Sequence, residues 1–337
     1  MTDLFVLSDV HYDGTAPRTQ ALGASLDTIR RLNPAATVVI DGDLTNSGLA
    51  AEFAGLGDLL TQYSPLTFLL NLGNHDVRGP FSAGWQAAPD ADPAHYHQVT
   101  VPSFAAIQRR VGSPIQTLYG AVDVGPWRVI LLNLERGLKD AAALSDTQLA
   151  WLDAELEATA LQPLVFIHQP LDHTHWRSDL YGGFGAFDAP LKRVLAAHPN
   201  TVLLSGHIHN GFGYTEVIPR TYATLVDLPA LSVSELGYVG AGLGYRLTAV
   251  GAGLALAAWD FAAATRLAQF DQLVDWPTVG SLAQTATAVP AAVTAALNAA
   301  YDQTRLEELS TPPLALFGSP VQAQCHAWCQ AQRDLNR

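Results

Sequence analysis

The sequence predicts an α/β fold with helices covering buried sheets, and two observations carry that prediction. Short β-branched or aliphatic runs recur at residues 4–7, 37–40, 67–70, 127–132, 165–167 and 202–204. Their length and unbroken apolar character are those of strands buried on both faces. Helical stripes lie between several of them, which is the alternation of a layered α/β domain.

In chain order, residues 4–7 are followed by Ser8, Asp9, Val10 and His11. Leu22, Leu26, Ile29 and Leu32 then fall on one helix face. The run 37–40 leads into Asp41, Gly42 and Asp43, and Leu49, Phe53, Leu56 and Leu60 mark a second helix. The run 67–70 leads to Gly73, Asn74, His75 and Asp76. Residues 79–102 hold no period and read as an ordered loop insertion. A third helix is read over 148–156 from Leu149, Leu152 and Leu156. His168 follows the run 165–167, and Gly206, His207, Ile208 and His209 follow 202–204. Gly-punctuated short segments from 211 to 260 read as antiparallel strands and turns.

Beyond residue 260 the chain turns Ala-rich, with Pro290 near the start of a helical stretch at 291–301. Val321, Cys325 and Trp328 form one stripe of a last helix. The expected organisation is a catalytic domain at 1–260 and a helical C-terminal extension at 261–337, a cap or a homodimer contact. Cys325 and Cys329, one helical turn apart, read as core packing.

A chain of 337 residues can bury a core without disulfides, and with two cysteines it has no disulfide framework. A net charge of −13 argues against nucleic acid polymers and anionic membranes as partners. No basic leader or spanning segment stands out, so the expected location is the cytoplasm.

Each polar cluster sits at the carboxyl end of a strand, the edge where open α/β sheets bind ligands. Imidazoles and carboxylates without thiolates suit Zn, Mn, Fe or Co. Asp9, Asp43, Asn74, His11, His168, His207 and His209 are too many donors for one tetrahedral ion and fit two divalent ions with a shared carboxylate. His207 and His209, two apart, reach the same side of an extended backbone.

The order D-x-H, G-D, G-N-H-D, a lone His after a strand, then G-H-x-H resembles the calcineurin-like metallophosphoesterase superfamily. Gly42-Asp43-Leu44-Thr45 and Asn74-His75-Asp76-Val77-Arg78 are most similar to its bacterial class III cyclic-nucleotide phosphodiesterase branch. The resemblance implies a four-layer α/β/β/α sandwich. It implies Asp9, His11 and His209 on one ion, Asn74, His168 and His207 on the other, and Asp43 bridging. His75 would face the substrate as the catalytic group off the metals. The implied reaction is hydrolysis of a small phosphoester, most simply a diester such as a cyclic nucleotide or glycerophosphodiester, by a hydroxide between the ions. A phosphomonoesterase or a non-catalytic metal-binding scaffold are the alternatives. Arg78, His97, His173 and Trp176 are candidate substrate contacts. Two departures stand out: Asn46 occupies a position that is Asp in many relatives, and Gln169 follows His168 where close phosphodiesterases often carry a second His.

Overall fold

The structure is a computed structural model that describes residues 3–79, 93–138, 140–175, 178, 183–235, 237–251 and 253–275. The first half of the domain alternates β1 (Leu4–Ser8), α1 (Ala16–Leu32), β2 (Thr37–Asp41), α2 (Ala50–Thr61) and β3 (Thr67–Asn71). The three strands pair in parallel, with Leu4 beside Thr37 and Thr37 beside Thr67. Short helices follow: α3 (Asn74–Arg78), α4 (Pro93–His95), a π-helical turn (Tyr96–Thr100) and α5 (Val101–Arg110).

The second half begins with β4 (Gly120–Val124) and β5 (Trp127–Leu131), then α6 (Asp146–Ala158), β6 (Gln162–Phe166), α7 (Asp188–Ala197) and β7 (Val202–Ser205). β8 (Val217–Pro219) and β9 (Thr224–Asp227) complete a sheet of order β4-β5-β6-β7-β9-β8. β10 (Leu243–Val250), β11 (Gly253–Asp260), β12 (Thr265–Arg266) and β13 (Gln272–Asp275) return to the first sheet, beside β1.

Alternate side chains of β1 enter different cores, because successive residues of a strand point to opposite faces. Leu4 and Val6 pack with Val129, Leu131, Leu164 and Phe166 of the other sheet. Phe5 and Leu7 pack with Leu22, Leu26 and Ile29 of α1. One core therefore lies between the sheets and another lies under the helices, which is the four-layer α/β/β/α arrangement expected from the sequence.

Two expectations need correction. Residues 93–102 are helical, not loop; the π turn at Tyr96–Thr100 shifts the phase between α4 and α5, so no 3.6-residue period survives there. Residues 261–275 do not begin a helical extension. β12 and β13 both pair with β11, with Leu254 opposite Val274. Their strand character comes from that pairing, which four residues of local sequence do not encode. Residues 276–337, with Cys325 and Cys329, lie outside the described residues.

Candidate metal centre

The ligand-bearing loops are stitched to one another by backbone hydrogen bonds. His11 N–H donates to Asp43 O at 2.7 Å, and Gly206 N–H donates to His168 O at 3.0 Å. Asp76 joins the second loop to the third: its carboxylate accepts Leu44 N–H, Thr45 N–H and Gly73 N–H at 2.8–2.9 Å and Thr45 Oγ1–H at 2.6 Å. These loops turn so sharply that five chemistry-bearing residues adopt positive φ: Asp9 (53°), His11 (48°), Asp43 (43°), His207 (72°) and His209 (51°). Asp and His tolerate this region better than most residues, yet each such position costs about 1–3 kcal/mol that the surroundings must supply.

Gly42 makes one of these approaches possible. It has φ 72°, and a Cβ there would overlap the His168 ring. Gly42→Ala is therefore expected to lower the melting temperature and displace His168. Differential scanning fluorimetry with and without metal reads both effects, and an unchanged melt would contradict the crowding.

The side chains gather into two groups sharing Asp43. Ligand atoms of Asp9, His11, Asp43 and His209 all lie within 4.8 Å of one another. His11 Nε2 and His209 Nε2 are 3.1 Å apart, and His209 Nε2 is 3.3 Å from Asp9 Oδ1. On the other side Asn74 Oδ1 is 2.9 Å from His207 Nδ1, and the His207 and His168 rings meet edge to face with centroids 5.5 Å apart. Asp43 Oδ2 sits between the groups, 3.4 Å from His11 Nε2 and 3.3 Å from His168 Nε2. Asp43 Oδ2 and His168 Nε2 are buried, and neither has a hydrogen-bond partner among the described residues. Orphaned donors of this kind, turned inward together, fit divalent cations.

The charges agree. Burial opposes ionisation of Asp9, but the charge of His168 and the hydrogen bond of His209 outweigh it and draw its pKa down to about 2. Burial likewise opposes protonation of His168, yet Asp43 and Asp9 push its pKa up to about 10. His209 is also raised to about 10, by Asp9 and Glu235 against burial. His207 goes the other way, to about 3, through burial and the neighbouring His168 charge. Asp9 and Asp43 thus keep protons on His168 and His209, with Glu235 assisting at His209, and these protons stand where cations would bring the compensating charge.

His75 lies beside this cluster, its ring centroid 4.5 Å from that of His11. Its backbone N–H donates to Asp43 Oδ1 at 2.8 Å, and its Nδ1 donates to the main-chain carbonyl of Asn46 at 2.8 Å. Support for His75 therefore comes from the backbone of Asn46, so the Asn-for-Asp departure leaves it intact. The Asn46 side chain instead accepts Arg18 Nη1 at 2.6 Å, and the same nitrogen donates to His11 O at 2.6 Å.

The seven expected ligands and His75 come together; of the expected substrate contacts, Arg78 is held inside the domain. Arg78 is only 2 % exposed, and its guanidinium holds Asp140 at 3.0 Å. It is an internal ion-pair member and not an open contact. Asp140 Oδ1 also accepts Asn74 Nδ2–H at 3.2 Å, which turns Asn74 Oδ1 toward His207. His97 is exposed on the π turn beside Tyr96, and His173 is exposed at φ 58°. Trp176 lies outside the described residues. Gln169 is 1 % exposed with both amide atoms lacking a partner among the described residues. Asp140 and Glu235, which meets His209 Nδ1 at 3.1 Å, escaped sequence reasoning because their partners are distant in the chain, and Arg18 because no motif marks it.

Comparison with known proteins gives the same frame. No curated relative matches the chain. Among solved structures, GAP50, the anchor in the inner membrane complex of Plasmodium, is 13 % identical with a TM-score of 0.51, over 83 % of this chain and 90 % of that one. The purple acid phosphatase PPD1 of yellow lupin (Lupinus luteus) is 11 % identical with a TM-score of 0.49, over 81 % of this chain and 53 % of that one. This chain thus spans about half of the lupin protein's length. The likeness to GAP50, at such identity, is one of fold alone. The family model for calcineurin-like phosphoesterases matches residues 3–211, a span that contains Asp9, His11, Asp43, Asn74, His75, His168, His207 and His209. With that match over most of its length and these donors gathered at one edge, the chain belongs to the calcineurin-like phosphoesterase family.

Proposed function

We propose that the chain hydrolyses phosphodiesters with two divalent ions, held by Asp9, His11 and His209 on one side and by Asn74, His168 and His207 on the other. The observation that carries the two-ion reading is Asp43 Oδ2, buried and nearly equidistant from His11 and His168 with no hydrogen bond of its own among the described residues. Divalent ions bound there would supply Lewis-acid charge to a phosphoryl group and acidify a water.

The chain's own groups do the rest. Asp43 Oδ1 and Asn46 O fix His75 at both its backbone and its ring. Because Asn46 O takes the Nδ1 proton, an uncharged His75 presents an Nε2 lone pair. Donation to a leaving oxygen requires the imidazolium. Burial, partly offset by Asp43, holds the His75 pKa below its ordinary value. The imidazolium fraction falls as pH rises, so turnover that uses it as an acid falls with it.

Preference for a diester, cyclic nucleotide or glycerophosphodiester, rests on the likeness of Gly42–Thr45 and Asn74–Arg78 to the class III branch. The test is chelated protein reloaded with Mn, Fe, Zn or Co, assayed on a chromogenic diester and monoester. Two ions per chain by elemental analysis and faster diester turnover are expected. Faster monoester turnover would transfer the chain to the phosphomonoesterases. Two ions without turnover would make it a binding scaffold, and a single ion at saturation would end the two-ion reading.

A further inference from the structure

We propose that Glu235 is the positioning residue for His209 and thereby sets the affinity of one of the two ions. The inference rests on the two-ion reading above and concerns a residue beyond the 3–211 span of the family match. Ala230, Leu231 and Tyr238 tie this part of the chain to the loops that carry Asp9 and His209. Leu231 N–H donates to Ser8 O at 2.8 Å, next to Asp9. Ala230 N–H donates to Asn210 O at 3.0 Å, and Tyr238 N–H donates to Phe212 O at 2.7 Å.

Glu235 grips His209 twice within this stitching. Its backbone N–H donates to His209 O at 2.9 Å, and its Oε1 meets His209 Nδ1 at 3.1 Å. A carboxylate accepts and does not donate, so it commits the proton to Nδ1. The ring nitrogen left over, Nε2, is the one that faces Asp9 Oδ1 at 3.3 Å and His11 Nε2 at 3.1 Å. Hydrogen bonding to a charged acceptor fixes the tautomer, orients the ring and makes Nε2 a stronger donor to a metal.

In the second group Asn74 also has a carboxylate behind it, Asp140, but the His168 ring does not. His168 Nδ1 is held at 2.7 Å by the neutral main-chain carbonyl of Asp41. The two ions would therefore rest on unequal support. In the group around Asp9, His11 and His209, the His209 ring is held by one carboxylate side chain, 22 % exposed, on a loop outside the shared motifs. Removing that side chain should weaken one ion and leave its neighbour alone.

The experiment is a Co(II) titration of the chelated full-length chain, followed by visible absorption and equilibrium dialysis, with E235A and E235Q beside the wild type. E235A is expected to bind one equivalent about 10–100-fold more weakly, with the other unchanged. E235Q keeps an oxygen that accepts Nδ1–H but loses the charge, so its affinity for the same equivalent should fall between the two. If E235A does not fold, E235Q carries the test, and an affinity equal to wild type overturns the proposal. Both equivalents unaffected, or both weakened alike, overturns it as well, since uniform weakening is what a structural role gives. A wild type that binds one ion sinks the two-ion reading by itself. The assignment of Glu235 is then decided by whether E235A loosens that ion.

Discussion

Asp43→Ala is expected to strip the centre of metal and abolish turnover. Oδ2 faces His11 and His168 at 3.4 and 3.3 Å, and Oδ1 takes the His75 backbone N–H at 2.8 Å. One side chain thus serves both ligand groups and the residue beside them. Its loss leaves His168 without the largest contributor to its positive charge. It also leaves two sets of donors with no shared anion to hold cations close together. Loss of a single outer partner of a ligand costs up to about 100-fold in affinity or activity, so loss of the shared carboxylate should exceed that. Asp43→Asn separates charge from shape. Its amide oxygen can keep the His75 contact, which turns the NH₂ toward His11 and His168, where a cation is wanted. It should fold like wild type and still fail to hold metal. Elemental analysis after loading and dialysis decides it, and two retained ions in either variant would refute the central place of Asp43.

His75→Ala should divide metal binding from turnover. The ring touches the cluster edge-on at 4.5 Å from His11 but spends its Nδ1 on Asn46 O, so it is held off the donor set. The alanine variant is expected to load metal like wild type while turnover falls by about 100-fold or more, the scale of a lost general acid. The pH profile is the sharper readout. A wild-type limb that falls with rising pH, as the imidazolium is lost, should flatten in the variant. Loss of metal would make His75 a ligand. Unchanged turnover would remove its role.

The centre was largely legible in the sequence because each donor stands within a few residues of an apolar run. The run announces a buried strand, and parallel pairing of β1, β2 and β3 brings their ends to one edge. Arg78 was misread for the opposite reason. Beside Asn74 it resembles a phosphate contact, but its partner Asp140 lies 62 residues away in a stretch without periodicity. Glu235 and His209 are 26 residues apart across a strand pair and a turn, and nothing in the local pattern joins them. Residues 272–275 make a strand only because β11 offers an edge. Contacts created by tertiary pairing leave no local trace, whereas burial and strand ends do.

The left-handed turns at Asp9, His11, Asp43, His207 and His209 restrict which metal chemistry this scaffold can be redirected toward. A designer who wished to soften the site for another ion would exchange carboxylate or imidazole for thiolate, or lengthen Asp to Glu to move an oxygen. On a strand or helix such exchanges test the donor alone. Here each one also asks the backbone to keep a conformation that Asp, Asn, His and Gly enter readily and Cys or Glu do not. The repertoire of donors at these five places is therefore narrowed twice, once by the ion and once by the turn. A site with such a small vocabulary changes its metal more easily through the groups behind its ligands than through the ligands themselves.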